Sequence, residues 1–142
     1  MYSIRIEGAF TATHHVAFID GRTEAPHTHH WVVRATFCCN ELDSAAMVAD
    51  FDLAQTRLDV VLGELNGADL NNFPALFGRN PTAEVVARHV FDRLRRGGLD
   101  GVHRVEVTEA PGCVAAYQCD ADVPQAPPLI HAPRIDDESP GA

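Results

Sequence analysis

Tyr2, Ile4 and Ile6 alternate with Ser3, Arg5 and Glu7 at the start of the chain. Apolar residues two apart share one face of a strand, so residues 2–15 are expected to form a strand, with a bulge near Gly8. The stretch "FIDGRTEAP" breaks the pattern with Asp20-Gly21 and Pro26 and reads as a loop. "HHWVVRATFCCN" is rich in β-branched and aromatic residues and predicts a second strand. The period then changes. Ala54, Leu58, Val61, Leu62 and Leu65 recur at helical spacing within residues 52–65.

"NGADLNNFPALFGRN" has neither period and reads as a long loop. Val86, Val90, Phe91 and Leu94 give a second helix its apolar face. Pro81 suits the first turn of that helix, Asn80 or Thr82 its cap, and Gly97-Gly98 its end. "GVHRVEVTEA" and "CVAAYQC" predict a closing hairpin about Pro111-Gly112. From residue 121 to 142 the chain turns to proline, alanine and acidic residues and predicts a disordered tail after a domain spanning 1–120.

The order β, β, α, α, β, β implies an α+β fold, an antiparallel four-stranded sheet with both helices on one face. Such a sheet has two open edges. Pairing them between identical subunits is one solution, which predicts a homo-oligomer; a lone domain with a charged edge is the plainer one.

Composition narrows the partners. The chain has 142 residues, 46% of them hydrophobic, which suits one domain with a real core. A formal net charge of -9 argues against nucleic acid and against an anionic membrane surface. No apolar run is long enough to span a bilayer, and the first residues show no basic-then-apolar leader. Cys38, Cys39, Cys113 and Cys119 form no C-x-x-C pair and suit small buried thiols in a cytoplasmic protein.

The candidate chemistry lies in "APHTHHW", which places three histidines in four positions. On a strand His27 and His29 share a face, while His30 points away. A third ligand must come from elsewhere, and "FTATHH" offers His14 and His15 at the end of the neighbouring strand. Three neutral imidazoles with an open position is the arrangement of a catalytic zinc site rather than a structural one. A bare H-x-H pair is more often ordinary polar surface; the facing strand ends are what favour a metal.

The segments "FTATHH", "HTHHWVV", "MVADFDLAQ", "ADLNN", "NPTAEVVA" and "VEVTEA" resemble, in order and spacing, the 6-pyruvoyl-tetrahydropterin synthase and 6-carboxy-tetrahydropterin synthase family. The resemblance covers most of residues 1–118. It implies the tunnelling fold, in which ββααββ subunits join into a barrel, commonly a hexamer of two trimers. It implies Zn2+ held by His14, His27 and His29, and a pterin ring anchored by Glu109. A carboxylate just inside a strand end can accept two parallel N–H bonds from a 2-amino-4-oxo ring, although an exposed strand glutamate is the commoner case. Asp50 is expected to cap the first helix, and Thr82 and Glu84 to set the start of the second, rather than to touch substrate.

The chain departs from the family pattern twice. Many members carry a cysteine four residues before the H-x-H pair. Here that position is Thr23, whose hydroxyl has no useful acidity near neutral pH. The next residue is Glu24, which resembles a branch of the family where glutamate replaces the cysteine and the dihydroneopterin-type side chain is cut to a hydroxymethyl group. Glu24 is the candidate base, with a solvated loop glutamate as the plainer reading. The family's Asp-His pair falls on Asn66 and Gly67, neither of which titrates; Asp69 is the nearest carboxylate that could substitute.

Three readings follow. One is a zinc-dependent, lyase-type enzyme acting on a dihydropterin side chain, dihydroneopterin or its triphosphate. Another is the same scaffold reused for a different carbonyl or amine substrate in a specialised pathway. The last is a non-catalytic, metal- and pterin- or purine-binding oligomer. A simple zinc hydrolase fits the chemistry but has no motif beyond the histidines.

Overall fold

The computed structural model describes residues 1–119. The expected tail falls outside them. The elements run β1 (Tyr2–His14), β2 (His27–Cys39), α1 (Phe51–Leu65), α2 (Ala83–Arg96), β3 (Val102–Ala110) and β4 (Cys113–Gln118). The strands form one antiparallel sheet in the order β1-β2-β3-β4. The α+β order read from the periodicity is therefore the observed one. No described helix is long and apolar enough to cross a membrane.

Alternation puts Ile6, Phe10 and Ala12 of β1 on the same face as Trp31, Val33, Ala35 and Phe37 of β2, all buried. Helix α1 brings Ala54, Leu58 and Leu62 to that face, and α2 brings Val86, Val90 and Leu94. Asp50 caps α1, accepting from the N–H groups of Asp52 and Leu53, as expected. Thr82 caps α2, accepting from Val85.

Four local expectations need correction. No bulge occurs at Gly8: β1 and β2 stay in unbroken register from Tyr2↔Cys39 to His14↔His27. The glycine instead admits α1, since a Cβ there would stand 2.7 Å from Leu62 Cδ1. The sheet is irregular elsewhere, at Thr36/Phe37 and at Thr108/Ala110. Pro81 lies before the cap of α2 and outside the helix. The loop before α2 is not featureless; Leu70–Asn72 and Pro74–Leu76 make two short 3-10 turns. Cys38 and Cys39 are buried as expected, but Cys113 is exposed and Cys119 half-buried.

His89 is a buried group that the periodicity did not single out. It is 8% exposed, its Nε2 has no hydrogen-bond partner among the described residues, and its ring meets Phe73 edge-on at 5.8 Å. Burial, then the charge of Arg93, lowers its pKa to about 4 against an ordinary 6.5; Arg96 and Arg79 push the same way and Glu64 opposes them. The folded state thus binds fewer protons than the unfolded one. Its contribution is fully present above about pH 6.5 and is lost as pH falls toward 4. Full titration corresponds to about 3 kcal/mol. Urea unfolding at pH 7 and pH 5 should show a smaller acid loss for His89→Phe than for the wild type. An equal loss would place the acid sensitivity elsewhere.

Candidate metal centre and its cavity

His14 is the last residue of β1 and pairs with His27, the first of β2. With His29 they lie on the helix-facing side of the sheet, at its end. Ring centroids are 4.8 Å apart for His14–His27, 5.3 Å for His14–His29 and 4.6 Å for His27–His29. One ligand nitrogen from each lies within 4.8 Å of the others. Trp31 forms the floor, edge-on to His14 at 4.8 Å, with its own N–H donated to the Ala12 carbonyl at 3.2 Å.

The hydrogen bonds set the tautomers. His14 Nδ1–H donates to the Pro81 carbonyl at 2.8 Å, and His27 Nδ1–H to the Ala25 carbonyl at 2.8 Å. A carbonyl can only accept, so each Nδ1 carries a proton, and it is Nε2 that holds the lone pair in the neutral ring. His14 Nε2 and His29 Nε2 are buried and have no hydrogen-bond partner among the described residues. Burial, ahead of the charges around it, lowers the pKa of His29, which favours the neutral ligand form. Desolvated lone pairs converging without a donor fit a metal ion, and backbone carbonyls holding the distal nitrogens are the usual outer support of such ligands. His15 and His30 stay outside the cluster: His15 is half-buried beside Asn71, and His30 is exposed on the opposite face.

Two glutamates flank the histidines. Glu109, next to the end of β3, has Oε2 3.5 Å from His29 Nε2 and Oε1 3.7 Å from His14 Nε2. Glu24 Oε1 accepts the Val16 N–H at 3.0 Å and lies 3.8 Å from His27 Nε2. Both line a cavity of about 500 Å³ walled by Val16, Phe18, Asn80 and Val114. Glu84 sits in the first turn of α2, as expected, and also reaches this cavity.

Thr23 and Asp69, the remaining candidates, do not line the cavity. Thr23 is exposed and bridges Ala17. Asp69 caps a 3-10 turn, accepting from Asn71 N at 3.1 Å and Asn72 Nδ2 at 2.6 Å, so its carboxylate already has partners. Asn66 Oδ1 accepts the Thr11 N–H at 2.9 Å, and Gly67, at φ 80°, donates to the Thr11 carbonyl at 2.7 Å. That pair joins the loop to the outer edge of β1. Sequence reasoning did not place Cys113, Asn71 or Asn80 at the site. Cys113 reaches the cavity because the hairpin returns it close to Glu109, a proximity that no period encodes.

Comparison with known proteins agrees with this architecture. The family model for 6-pyruvoyl tetrahydropterin synthase matches residues 3–120. The chain is 30% identical over 122 residues to the 6-carboxy-5,6,7,8-tetrahydropterin synthase of Synechocystis, spanning 82% of this chain and 93% of that protein. Among solved structures, the 6-pyruvoyl tetrahydropterin synthase of Caenorhabditis elegans superposes with a TM-score of 0.71 at 18% identity, covering 84% of this chain and 96% of that one. A Plasmodium vivax 6-pyruvoyltetrahydropterin synthase, in a variant with a catalytic glutamate changed to alanine, superposes with a TM-score of 0.65 at 15% identity, covering 84% and 98%. These two likenesses show the fold. With the family match covering the whole sheet and both helices, the chain belongs to the 6-pyruvoyl tetrahydropterin synthase family.

Proposed function

We propose that the chain is a zinc-dependent, lyase-type enzyme that acts on the side chain of a dihydropterin, dihydroneopterin or its triphosphate. The observation that carries this reading is the pair of buried Nε2 atoms of His14 and His29, without a hydrogen-bond partner among the described residues, converging with His27 beside a cavity lined by Glu24, Glu84 and Glu109. Zinc bound there would polarise a substrate hydroxyl or carbonyl. Glu24 removes the proton from that hydroxyl. Glu109 accepts two N–H bonds from the ring. A glutamate is named as a catalytic residue in the Plasmodium vivax relative, so carboxylate chemistry has a precedent on this fold.

Glu109→Ala removes one partner of a charged hydrogen bond, a loss that typically costs about 2–5 kcal/mol. Calorimetry should show pterin binding nearly abolished, with metal content retained. Loss of the metal as well would assign Glu109 to the metal rather than to the ring, a role its 3.5 Å distance from His29 Nε2 also permits.

The 13-residue β1 and the shorter β4 are the open edges of the sheet. Their pairing between subunits would close a barrel, and a hexamer is the proposed assembly. Light scattering at micromolar concentration tests it; a monomer would refute it. The free, adjacent, buried Cys38 and Cys39 support a cytoplasmic setting.

The decisive experiment incubates the zinc-loaded protein with dihydroneopterin and with its triphosphate and analyses the products. A shortened or rearranged side chain supports the reading. Binding without turnover would favour the non-catalytic oligomer, and neither binding nor turnover would favour a different substrate. The observation on the side of those alternatives is Asn66-Gly67, which is spent on Thr11 and titrates nothing.

A further inference from the structure

β1 leaves its partner at His14, and β2 begins only at His27. Beyond His14, residues 16–18 pair only briefly with residues 22–24, about the Ala17↔Thr23 bridge, and the outward backbone groups of His15 and Ala17 have no strand beside them among the described residues. The backbone polar groups of residues 15–17 still need partners. Asn71, Asn80 and Glu24 supply them. Asn71 Oδ1 accepts the His15 N–H at 2.9 Å, while Asn71 Nδ2 donates to the His15 carbonyl at 3.0 Å. Asn80 treats Ala17 the same way, at 3.0 and 2.9 Å. Between them Glu24 holds Val16, its Oε1 accepting the N–H and its own N–H donating to the carbonyl, each at 3.0 Å. A carboxamide carries one acceptor and one donor group side by side, so it can stand in for the edge of a strand.

The clamp is tied to the histidine ligands. Asn80 precedes Pro81, whose carbonyl takes the Nδ1–H of His14 at 2.8 Å. Residues 80–81 thus grip residues 14–17 at two points. The Ala17 bonds hold the Pro81 carbonyl against the His14 ring, and that contact sets the tautomer and the direction of Nε2. Glu24 is held by the same segment, through Val16.

We propose that Asn80 and Asn71 are positioning residues of the metal centre, which orient His14 and Glu24 by bonding the outer backbone edge of residues 15–17. The inference rests on the metal-site reading above.

Asn80→Asp tests it with almost no change of shape. The carboxylate still accepts from Ala17 but can no longer donate to the Ala17 carbonyl. Co2+ and Zn2+ affinity, read by chelator competition, should fall by about 10–100-fold, as for other outer supports of metal ligands. The visible spectrum of bound Co2+ should change, and the melting-point rise caused by Zn2+ should shrink relative to each variant's own metal-free value. Asn71→Asp should act in the same direction and serves if Asn80→Asp does not fold. Asn40→Asp, at the far end of β2, controls for the added charge. Unchanged affinity, spectrum and metal-induced melting shift in the folded Asn80→Asp or Asn71→Asp protein would overturn the inference. A lowered metal-free melting point with an intact metal shift would do the same, since that is what a purely structural clamp gives. A wild type that binds neither metal would overturn the metal-site reading itself.

Discussion

Replacing His29 by alanine should lower zinc affinity by about 10²–10³-fold while leaving the metal-free protein as stable as the wild type or slightly more stable. The two halves of this result have different causes. Binding to a zinc site of this kind is worth on the order of 10 kcal/mol, so losing one of three protein ligands removes a few kcal/mol of it. The metal-free effect comes from desolvation. His29 Nε2 is buried without a hydrogen-bond partner, and a polar atom in that state costs free energy when the ion is absent. Removing the ring removes the cost. His29 is the better test than His14, which is fully buried against Trp31, so its truncation would also leave a hole in the core. The side chain of His29 is 21% exposed. Metal analysis of the purified variant, together with melting curves with and without Zn2+, reads both halves. Full metal retention in His29→Ala would remove His29 from the ligand set. A large loss of metal-free stability would show that its Nε2 is satisfied by some other partner in solution.

Much of the fold was legible because it follows local rules. Alternation marked β1 and β2, the 3.6-residue period marked α1 and α2, and Pro111-Gly112 marked the hairpin. The histidine cluster was legible for the same reason: the two-residue spacing of His27 and His29, which puts them on one face, is a property of any strand. What was not legible depends on tertiary approach. Gly8 looks like a bulge in a list of residues, but its role is to admit Leu62 from a helix more than fifty residues away. Pro81 looks like a helix starter. It lies instead before the cap, where its carbonyl is free for His14. Asn71 and Asn80 are ordinary loop residues until the fold brings them to the outer backbone edge of residues 15–17. Side chains that satisfy a distant backbone carry no periodic signal, so sequence reasoning saw the histidines and missed the asparagines that bond the segment after His14.

Glu24→Gln should lower turnover by about 10²–10⁴-fold, the usual worth of a general base, with metal content and pterin affinity nearly unchanged. The structure sharpens the choice of variant. Glu24 Oε1 accepts the Val16 N–H at 3.0 Å, so this side chain both holds the loop and faces the cavity. Glutamine has a carbonyl oxygen that can keep the Val16 bond, but its amide cannot take a proton from substrate. The substitution therefore separates chemistry from architecture. Glu24→Ala does not: it frees Val16, loosens residues 15–17, and should reduce metal affinity as well as turnover. The contrast between these variants is itself an expected result. Thr23→Val should change little, since Thr23 is exposed and does not line the cavity. Steady-state kinetics on the zinc-loaded variants, with metal content measured on the same samples, tests the set. If Glu24→Gln kept full activity, Glu24 would be a loop clamp only. The base would then be another carboxylate: Asp69, once released from the turn it caps, or Glu84, which already reaches the cavity.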